Sequence, residues 1–244
     1  MIFFKTFLKR SLSALLNILC PPICPICKEP VETPHCLCAK CYRQLKFITK
    51  PCCQICGRPF EYAGLDTCIC GSCMKQKPKF NIARSILEYD DFSKKLVLAF
   101  KHGDHTELSP LFVKFLCQAD HDIFKNIDII IPVPLHWTRR LKRKYNQAGL
   151  LGRGLSHQVK IPFHPTILKR SHRTESQGHK KRSQRIKNIK NAFTVKDPNA
   201  VIGKHILLID DVMTTGATLN ECAKVLRKAG AKTVNALTIY RVLN

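Results

Sequence analysis

The sequence predicts an α/β fold, a parallel sheet with flanking helices, preceded by a small cysteine-rich metal-binding module. Two observations predict it. Strand and helix signals alternate over the last two thirds of the chain, which is typical of a parallel sheet. Twelve of the fourteen cysteines lie between Cys20 and Cys73. The 244 residues suffice for one or two domains with a sizeable core.

Residues 1–19 have the pattern of an amphipathic helix, with apolar residues at helical spacing and Lys5 and Lys9 on the other side. The segment is too short and too charged to span a bilayer, and no small-residue cleavage site follows it. We therefore expect a cytoplasmic protein with reduced thiols. The helix either docks on the cysteine module or makes peripheral contact with the inner face of the membrane, its lysines toward anionic lipid.

Two sets of four cysteines follow, with spacings C-x2-C-x10-C-x2-C and C-x2-C-x13-C-x2-C, and they form an internal repeat. Each C-x-x-C turn places two sulfurs on one side of a metal, so two turns complete the tetrahedron that zinc prefers. This favours two structural zinc ions over disulfides or free thiols. The predicted zinc ligands are Cys24, Cys27, Cys38, Cys41, Cys53, Cys56, Cys70 and Cys73. The spare cysteines, expected to be small buried residues, are Cys20, Cys36, Cys52 and Cys68.

The remaining elements follow in order after a polar linker at 75–80 that contains Pro78, so we place the cysteine module at 20–77 and the α/β domain at 78–244. Short apolar runs predict strands at 83–89, 128–132, 166–169, 205–210 and 233–240. Amphipathic runs predict helices at 92–101, 108–119, 147–157 and 218–229. Gly103 and Gly230 stand where capping glycines end a helix. The polar, basic stretch 171–190 is expected to be a loop that runs into a short helix.

The charge of the chain is strongly positive, with 41 Lys and Arg against 17 Asp and Glu. Residues 136–192 hold sixteen Lys and Arg and a single acid, Glu175. Such a block is either a solvated basic surface or a face that binds phosphate-rich ligands or a nucleic-acid backbone. Aromatic residues are sparse there, which favours contact with the backbone of single-stranded DNA over reading of its bases.

The segment 206–218 carries the strongest functional signal. Four apolar residues predict a buried strand, and Asp210 and Asp211 stand at its C-terminal end, where open α/β sheets bind ligands. Small and hydroxylated residues then lead into a helix, whose first N–H groups can bind a phosphate. These residues are Thr214, Thr215, Gly216, Ala217 and Thr218. Because the acids would repel a phosphate, they suit the two hydroxyls of a ribose.

This motif resembles that of the type I phosphoribosyltransferases, which bind 5-phosphoribosyl-1-pyrophosphate (PRPP). The resemblance implies a type I phosphoribosyltransferase-like parallel sheet with flanking helices. It implies that Asp210 and Asp211 hold the 2′- and 3′-hydroxyls and that the Thr/Gly loop holds the 5′-phosphate. It also implies Mg²⁺ bound with PRPP. The family's pyrophosphate loop matches residues 131–136, which makes the nearby Arg139 and Arg140 candidates for pyrophosphate contact.

A set of further short motifs resembles the ComF (GntX-like) family, which is linked to competence and the use of external DNA. After the cysteine sets, these motifs occur in order at 132–135, 140–148, 174–177, 185–188 and 192–193. The resemblance covers residues 20–244 and implies a double zinc ribbon. Tyr145 stands where Phe is expected, which keeps the aromatic ring.

Three functions are compatible with these residues. The first is a DNA-uptake protein that grips single-stranded DNA with its zinc module and basic segment and binds PRPP or a nucleotide end. The second is an active phosphoribosyltransferase with an unknown acceptor and unknown catalytic residues; no base-binding hood is recognisable. The third is a ligand-sensing regulator that reuses the fold.

Overall fold

The computed structural model describes residues 21–62, 64, 68–102, 105–135, 145–171 and 189–243. The predicted N-terminal helix, Cys20, Arg139, Arg140 and most of the predicted loop at 171–190 lie outside these ranges. The chain divides into two compact units, the residues up to Leu45 and Lys46–Asn244. The boundary predicted at 77–78 concerns sequence modules and stays a prediction.

The smaller unit contains the first cysteine set and one short helix, α1 (Ala39–Arg43). The larger unit contains the second set and the α/β elements. Its helices are α2 (Gly71–Lys75), α3 (Ser93–His102), α4 (Ser109–Leu116), α5 (Gln147–Val159) and α6 (Ala217–Lys228). Its strands are β1 (Ala83–Glu88), β2 (Ile129–Pro132), β3 (Leu168–Arg170), β4 (Phe193–Val195), β5 (His205–Met213) and β6 (Thr233–Arg241).

The main sheet confirms the predicted α/β class. Its four strands are all parallel, in the order β1-β6-β5-β2. The central strand β5 is buried on both faces, and its residues 206–209 are fully inaccessible. Ile206 and Leu208 share a cluster with α6, while α5 packs on β2 and β5 and contacts α4. Helices therefore flank the sheet as predicted.

A glycine allows two of these helices to approach closely. A Cβ at Gly154 of α5 would lie 2.5 Å from Cγ2 of Val113 on α4. Packing therefore explains Gly154, one of the glycines that weaken the helix signal in the sequence.

The short helices α1 and α2 were not predicted, and two strands differ from the predictions. β5 continues beyond 210 to Met213, because β6 keeps pairing with it through Arg241. Residues 193–195, for which no strand is predicted, pair with β3 as a separate antiparallel ribbon. Strands of three residues are too short to show a periodic pattern.

The internal repeat folds twice into the same turn. Lys28 N–H donates to Cys24 O at 2.9 Å in the first copy, and Gly57 N–H donates to Cys53 O at 2.9 Å in the second. Lys28 and Gly57 both have φ of 67°. A Cβ at Gly57 would lie 2.7 Å from the carbonyl oxygen of Ala83 in β1. The second copy therefore needs glycine because it packs directly on the sheet.

Within the described ranges, every helix is too short or too polar to cross a lipid bilayer.

Candidate functional site

The carboxyl end of β5 carries the two predicted ribose-binding acids. Asp210 and Asp211 are both half-buried and directly follow the fully buried part of the strand. Since β5 runs on to Met213, pairing with β6 fixes the backbone of both acids. The N–H of Asp211 donates to Asp210 Oδ1 at 2.9 Å and orients that carboxylate.

The environment of Asp210 perturbs its carboxyl group. Burial, and then the neighbouring charge of Asp211, raise the pKa of Asp210 to about 8. Proteins commonly tolerate such a shift where acidic groups are gathered for a ligand. A carboxyl group in either protonation state can hydrogen-bond a sugar hydroxyl, so the pair suits a vicinal diol.

Lys101 completes this end of the sheet, although no sequence signal pointed to it. Its Nζ lies 3.0 Å from Asp211 Oδ2, and both side chains are mostly shielded from solvent. A cation at this position partly balances the two acids. It also lies where it can contact a phosphate-bearing ligand that reaches the acids.

The segment Tyr145-Asn146-Gln147 forms hydrogen bonds to helix α3, which carries Lys101. The hydroxyl of Tyr145 donates to Phe100 O at 2.9 Å, and the buried Gln147 donates from Nε2 to the carbonyls of Phe100 and Lys101, each at 3.4 Å. These bonds satisfy carbonyls in the last turn of α3. Asn146 donates to Val133 O at 3.2 Å. The segment thus joins α3 to the loop after β2. This gives a structural role to one of the motifs that resemble the ComF family.

The loop between β5 and α6 is built as a phosphate-binding turn would be. Gly216 has φ of +74°, a left-handed conformation that favours glycine, and a Cβ there would lie 2.8 Å from Cε at the end of the Met213 side chain. Thr215 Oγ1 accepts from Ala217 N at 3.3 Å. Thr214 is exposed, and Thr218 is half-buried in the first turn of the helix. Hydroxyls and helix N–H groups are therefore presented together.

The predicted pyrophosphate loop begins beside this turn. β2 pairs with β5, and Val133 N donates to Ile209 O at 2.9 Å just before the acids. The chain therefore leaves the sheet edge next to Asp210. The side chains predicted to contact pyrophosphate, Arg139 and Arg140, lie outside the described residues.

The structure brings together both predicted sets of zinc ligands. In each set, the four sulfurs lie within 4.8 Å of one another. Cys27 and Cys38 have sulfurs 3.5 Å apart, and Cys56 and Cys70 have sulfurs 3.7 Å apart. Sulfurs about 2.3 Å from a tetrahedral zinc lie about 3.8 Å from one another, whereas a disulfide bond is about 2.05 Å long. The geometry supports two structural zinc sites and no disulfide within either set.

Hydrogen bonds favour the thiolate at Cys53, whereas burial raises the pKa of the Cys56 and Cys73 thiols in the same set. Burial raises the pKa of the Cys53 thiol, but backbone N–H groups of Cys56, Cys70 and Ile55 outweigh it and bring the pKa to about 7. The N–H of Cys70 lies 3.3 Å from Cys53 Sγ. The spare cysteines Cys36, Cys52 and Cys68 do not join either set. With four sulfurs each, the sites leave no open position for catalysis.

Two families match the chain in the expected order. Residues 15–76 match the double zinc ribbon domain, and residues 147–243 match the phosphoribosyl transferase domain.

Curated relatives cover most of the chain. Competence protein F of Haemophilus influenzae is 34% identical, over 84% of this chain and 90% of that protein. DNA utilization protein YhgH of Salmonella typhi is 31% identical, over 91% of this chain and 98% of that protein. Competence protein ComFC of Bacillus subtilis is 29% identical, over 84% of each. Among solved structures, a crystal structure of adenine phosphoribosyltransferase aligns with 68% of this chain and 82% of its own, at 15% identity and a TM-score of 0.40.

Proposed function

The chain belongs to the ComF family of competence and DNA-utilization proteins, and on that premise we propose that it binds a 5-phosphoribosyl compound, first of all PRPP, at the carboxyl edge of its sheet. The acid pair and the turn 214–218, which we call the phosphate turn, support this proposal because they lie at opposite ends of one short segment. Asp210 and Asp211 would receive the ribose hydroxyls. The turn 214–218 would receive the 5′-phosphate.

The pyrophosphate of PRPP would lie toward the loop after β2 and Lys101. Mg²⁺ would accompany it, because the metal neutralises adjacent phosphates and orients their oxygens. The acids, the turn and Lys101 bind and orient the sugar phosphate. The proposal is therefore one of binding, to which no transfer step is added.

Ligand discrimination tests this site. By titration calorimetry with Mg²⁺, we expect PRPP to bind at least about tenfold more tightly than ribose 5-phosphate, since each charge-assisted hydrogen bond contributes about 1.5–3 kcal/mol. We expect 2-deoxyribose 5-phosphate to bind more weakly than ribose 5-phosphate, because it lacks one hydroxyl for the acid pair. Equal affinities for these two sugar phosphates would show that the acids do not bind the ribose hydroxyl that the deoxy sugar lacks.

We further propose that the protein binds the backbone of single-stranded DNA. The names of its relatives, which refer to DNA utilization and competence, support this proposal. The charge of +24 supplies the attraction. In the larger unit, a cleft of about 640 Å³ between the second zinc ribbon and α6 is lined by Lys77, Lys79 and Arg227, with aliphatic surface from Ile55 and Ile69. Three cations beside apolar surface suit a phosphodiester chain.

The salt dependence of DNA binding tests this second proposal. We expect fluorescence anisotropy with a labelled oligothymidine to show binding that weakens as salt rises. Replacing Lys77 and Lys79 together with Gln should reduce the slope of log K against log salt by about 1.4, which corresponds to two phosphate contacts at about 0.7 each. Lys125→Gln is the control, because Lys125 is exposed and paired with Asp122. An absence of binding at low salt, or an unchanged slope in the double variant, would contradict the proposal.

A further inference from the structure

Arg241 lies between the second cysteine set and the phosphate turn. It ends β6 and is 7% exposed. Its Nη2 lies 3.4 Å from Cys56 Sγ, and its Nη1 donates to the carbonyl of Cys56. Nη1 also lies 3.4 Å from Sδ of Met213. One guanidinium therefore touches a predicted zinc ligand and the last residue of the strand that carries the acids.

The charge of this guanidinium needs a partner. A buried cation is costly unless an anion lies beside it. Among the ion pairs of the described residues none involves Arg241, and its buried Nε has no hydrogen-bond partner. Four thiolates around one Zn²⁺ carry a formal double negative charge. Zinc held by the second set would thus supply the missing anion, and Arg241 would in turn neutralise part of the charge of that site.

Met213 connects this cation to the phosphate turn. It is 4% exposed, and its carbonyl accepts from Val242 N at 3.0 Å. Its methyl carbon occupies the space next to Gly216, 2.8 Å from where a Cβ would be. In a close-packed interior, a shift of Met213 is transmitted to its neighbours. The position of Met213 therefore helps to set the position of Gly216.

We propose that Arg241 is a positioning residue that joins the second zinc site to the phosphate turn. It retains zinc by balancing the charge at Cys56, and it holds Met213 beneath Gly216. The second zinc ribbon is then part of the support of the ligand site. The role of the ribbon in supporting a ligand site rests on the proposed ribose-phosphate site. The contacts of Arg241 with Cys56 and Met213, in contrast, are a property of the unliganded protein.

Two measurements on the full chain without ligand test the link. The first is the rate at which zinc passes to a chromogenic chelator, and the second is hydrogen exchange of the segment 213–218. In Arg241→Met, we expect one of the two zinc ions to leave at least about tenfold faster, because the charge-assisted contact with Cys56 is lost. We also expect the amides of the turn to exchange faster.

Arg84→Met is the matched control. Nη1 of Arg84 donates to Cys53 O at 3.5 Å and to Gln54 O at 3.1 Å, so Arg84 holds the same ribbon through backbone carbonyls. We expect its loss to leave exchange at 213–218 unchanged. Equal acceleration of exchange in both variants would overturn the proposal, because any loosening of the ribbon would then suffice.

Arg241→Lys keeps the proposal testable if the Met variant does not fold. Lysine retains the charge but not the planar fork, so zinc release should stay near the wild-type rate while the turn exchanges faster. The proposal is overturned if residues 213–218 of Arg241→Lys exchange at the wild-type rate. It is also overturned if a folded Arg241→Met protein releases zinc at the wild-type rate. Since neither measurement uses a phosphoribosyl ligand, a wild-type protein that does not bind PRPP would sink the proposed function alone.

Discussion

Replacing Asp210 with Asn is expected to weaken PRPP binding by about 10- to 100-fold and, at the same time, to raise the melting temperature. Above about pH 8, where Asp210 is ionised, affinity falls because the amide no longer offers a sugar hydroxyl the charge-assisted hydrogen bond of a carboxylate, which is worth about 1.5–3 kcal/mol. The fold is kept, because the amide retains the Oδ1 that accepts from Asp211 N.

Stability rises in this variant for an electrostatic reason. Burial and Asp211 raise the pKa of Asp210 to about 8 in the folded protein, above the ordinary value of 3.8. Below about pH 4 the carboxyl is protonated in both the folded and unfolded states, so it does not affect the free energy of unfolding. As the pH rises from there toward 8, the unfolded state gains by ionising and the wild-type protein loses stability.

The difference in melting temperature between Asp210→Asn and wild type should therefore be small near pH 4 and grow toward pH 8. Each kcal/mol corresponds to about 2–4 °C for a chain of this size. Thermal unfolding followed by circular dichroism at several pH values measures it. A variant that loses affinity but is destabilised at every pH would indicate a folding defect, which does not support a ribose-binding role.

Loss of the second zinc site should produce the largest structural effect. Cys53, Cys56, Cys70 and Cys73 are each at most 8% exposed and share one buried cluster with β5, β6 and α6. Structural zinc sites contribute several kcal/mol or more to folding. We expect Cys56→Ser to lower the melting temperature of the larger unit by more than about 10 °C, or to prevent its folding.

Two further serine variants separate the metal from the cysteine. Cys68→Ser, at a half-buried residue outside both sets, should retain two zinc ions and a near-normal melting temperature. Cys27→Ser, at an exposed ligand in the smaller unit, should lose one zinc ion and leave the larger unit folded. Metal content by atomic emission and unfolding of the larger unit are the readouts. If Cys56→Ser and Cys68→Ser behaved alike, the second set would not be a zinc site.

Local patterns in the sequence predicted most of the larger unit. The apolar run 206–209 and the small residues after it locate a buried strand, a turn and a helix, since each depends on neighbouring residues. The spacing of the cysteines predicted the two groups of four sulfurs that lie together in the structure, because the geometry of a C-x-x-C turn is local.

Contacts between distant residues could not be predicted in this way. β5 extends past Asp211 only because β6 offers it partners, and Lys101 reaches Asp211 across more than one hundred residues. The packing of the second ribbon on β1 shows in the sequence only as Gly57 in place of the Lys28 of the first copy. That signal is interpretable once the carbonyl of Ala83 is known to lie beside it.

A crystal structure of the protein grown with PRPP and Mg²⁺ tests the central claim most directly. The account predicts the 5′-phosphate within hydrogen-bonding distance of the amides and hydroxyls of 214–218, and the ribose hydroxyls on Asp210 and Asp211. A sugar phosphate bound elsewhere, with Asp211 still paired to Lys101 and the turn empty, would contradict it.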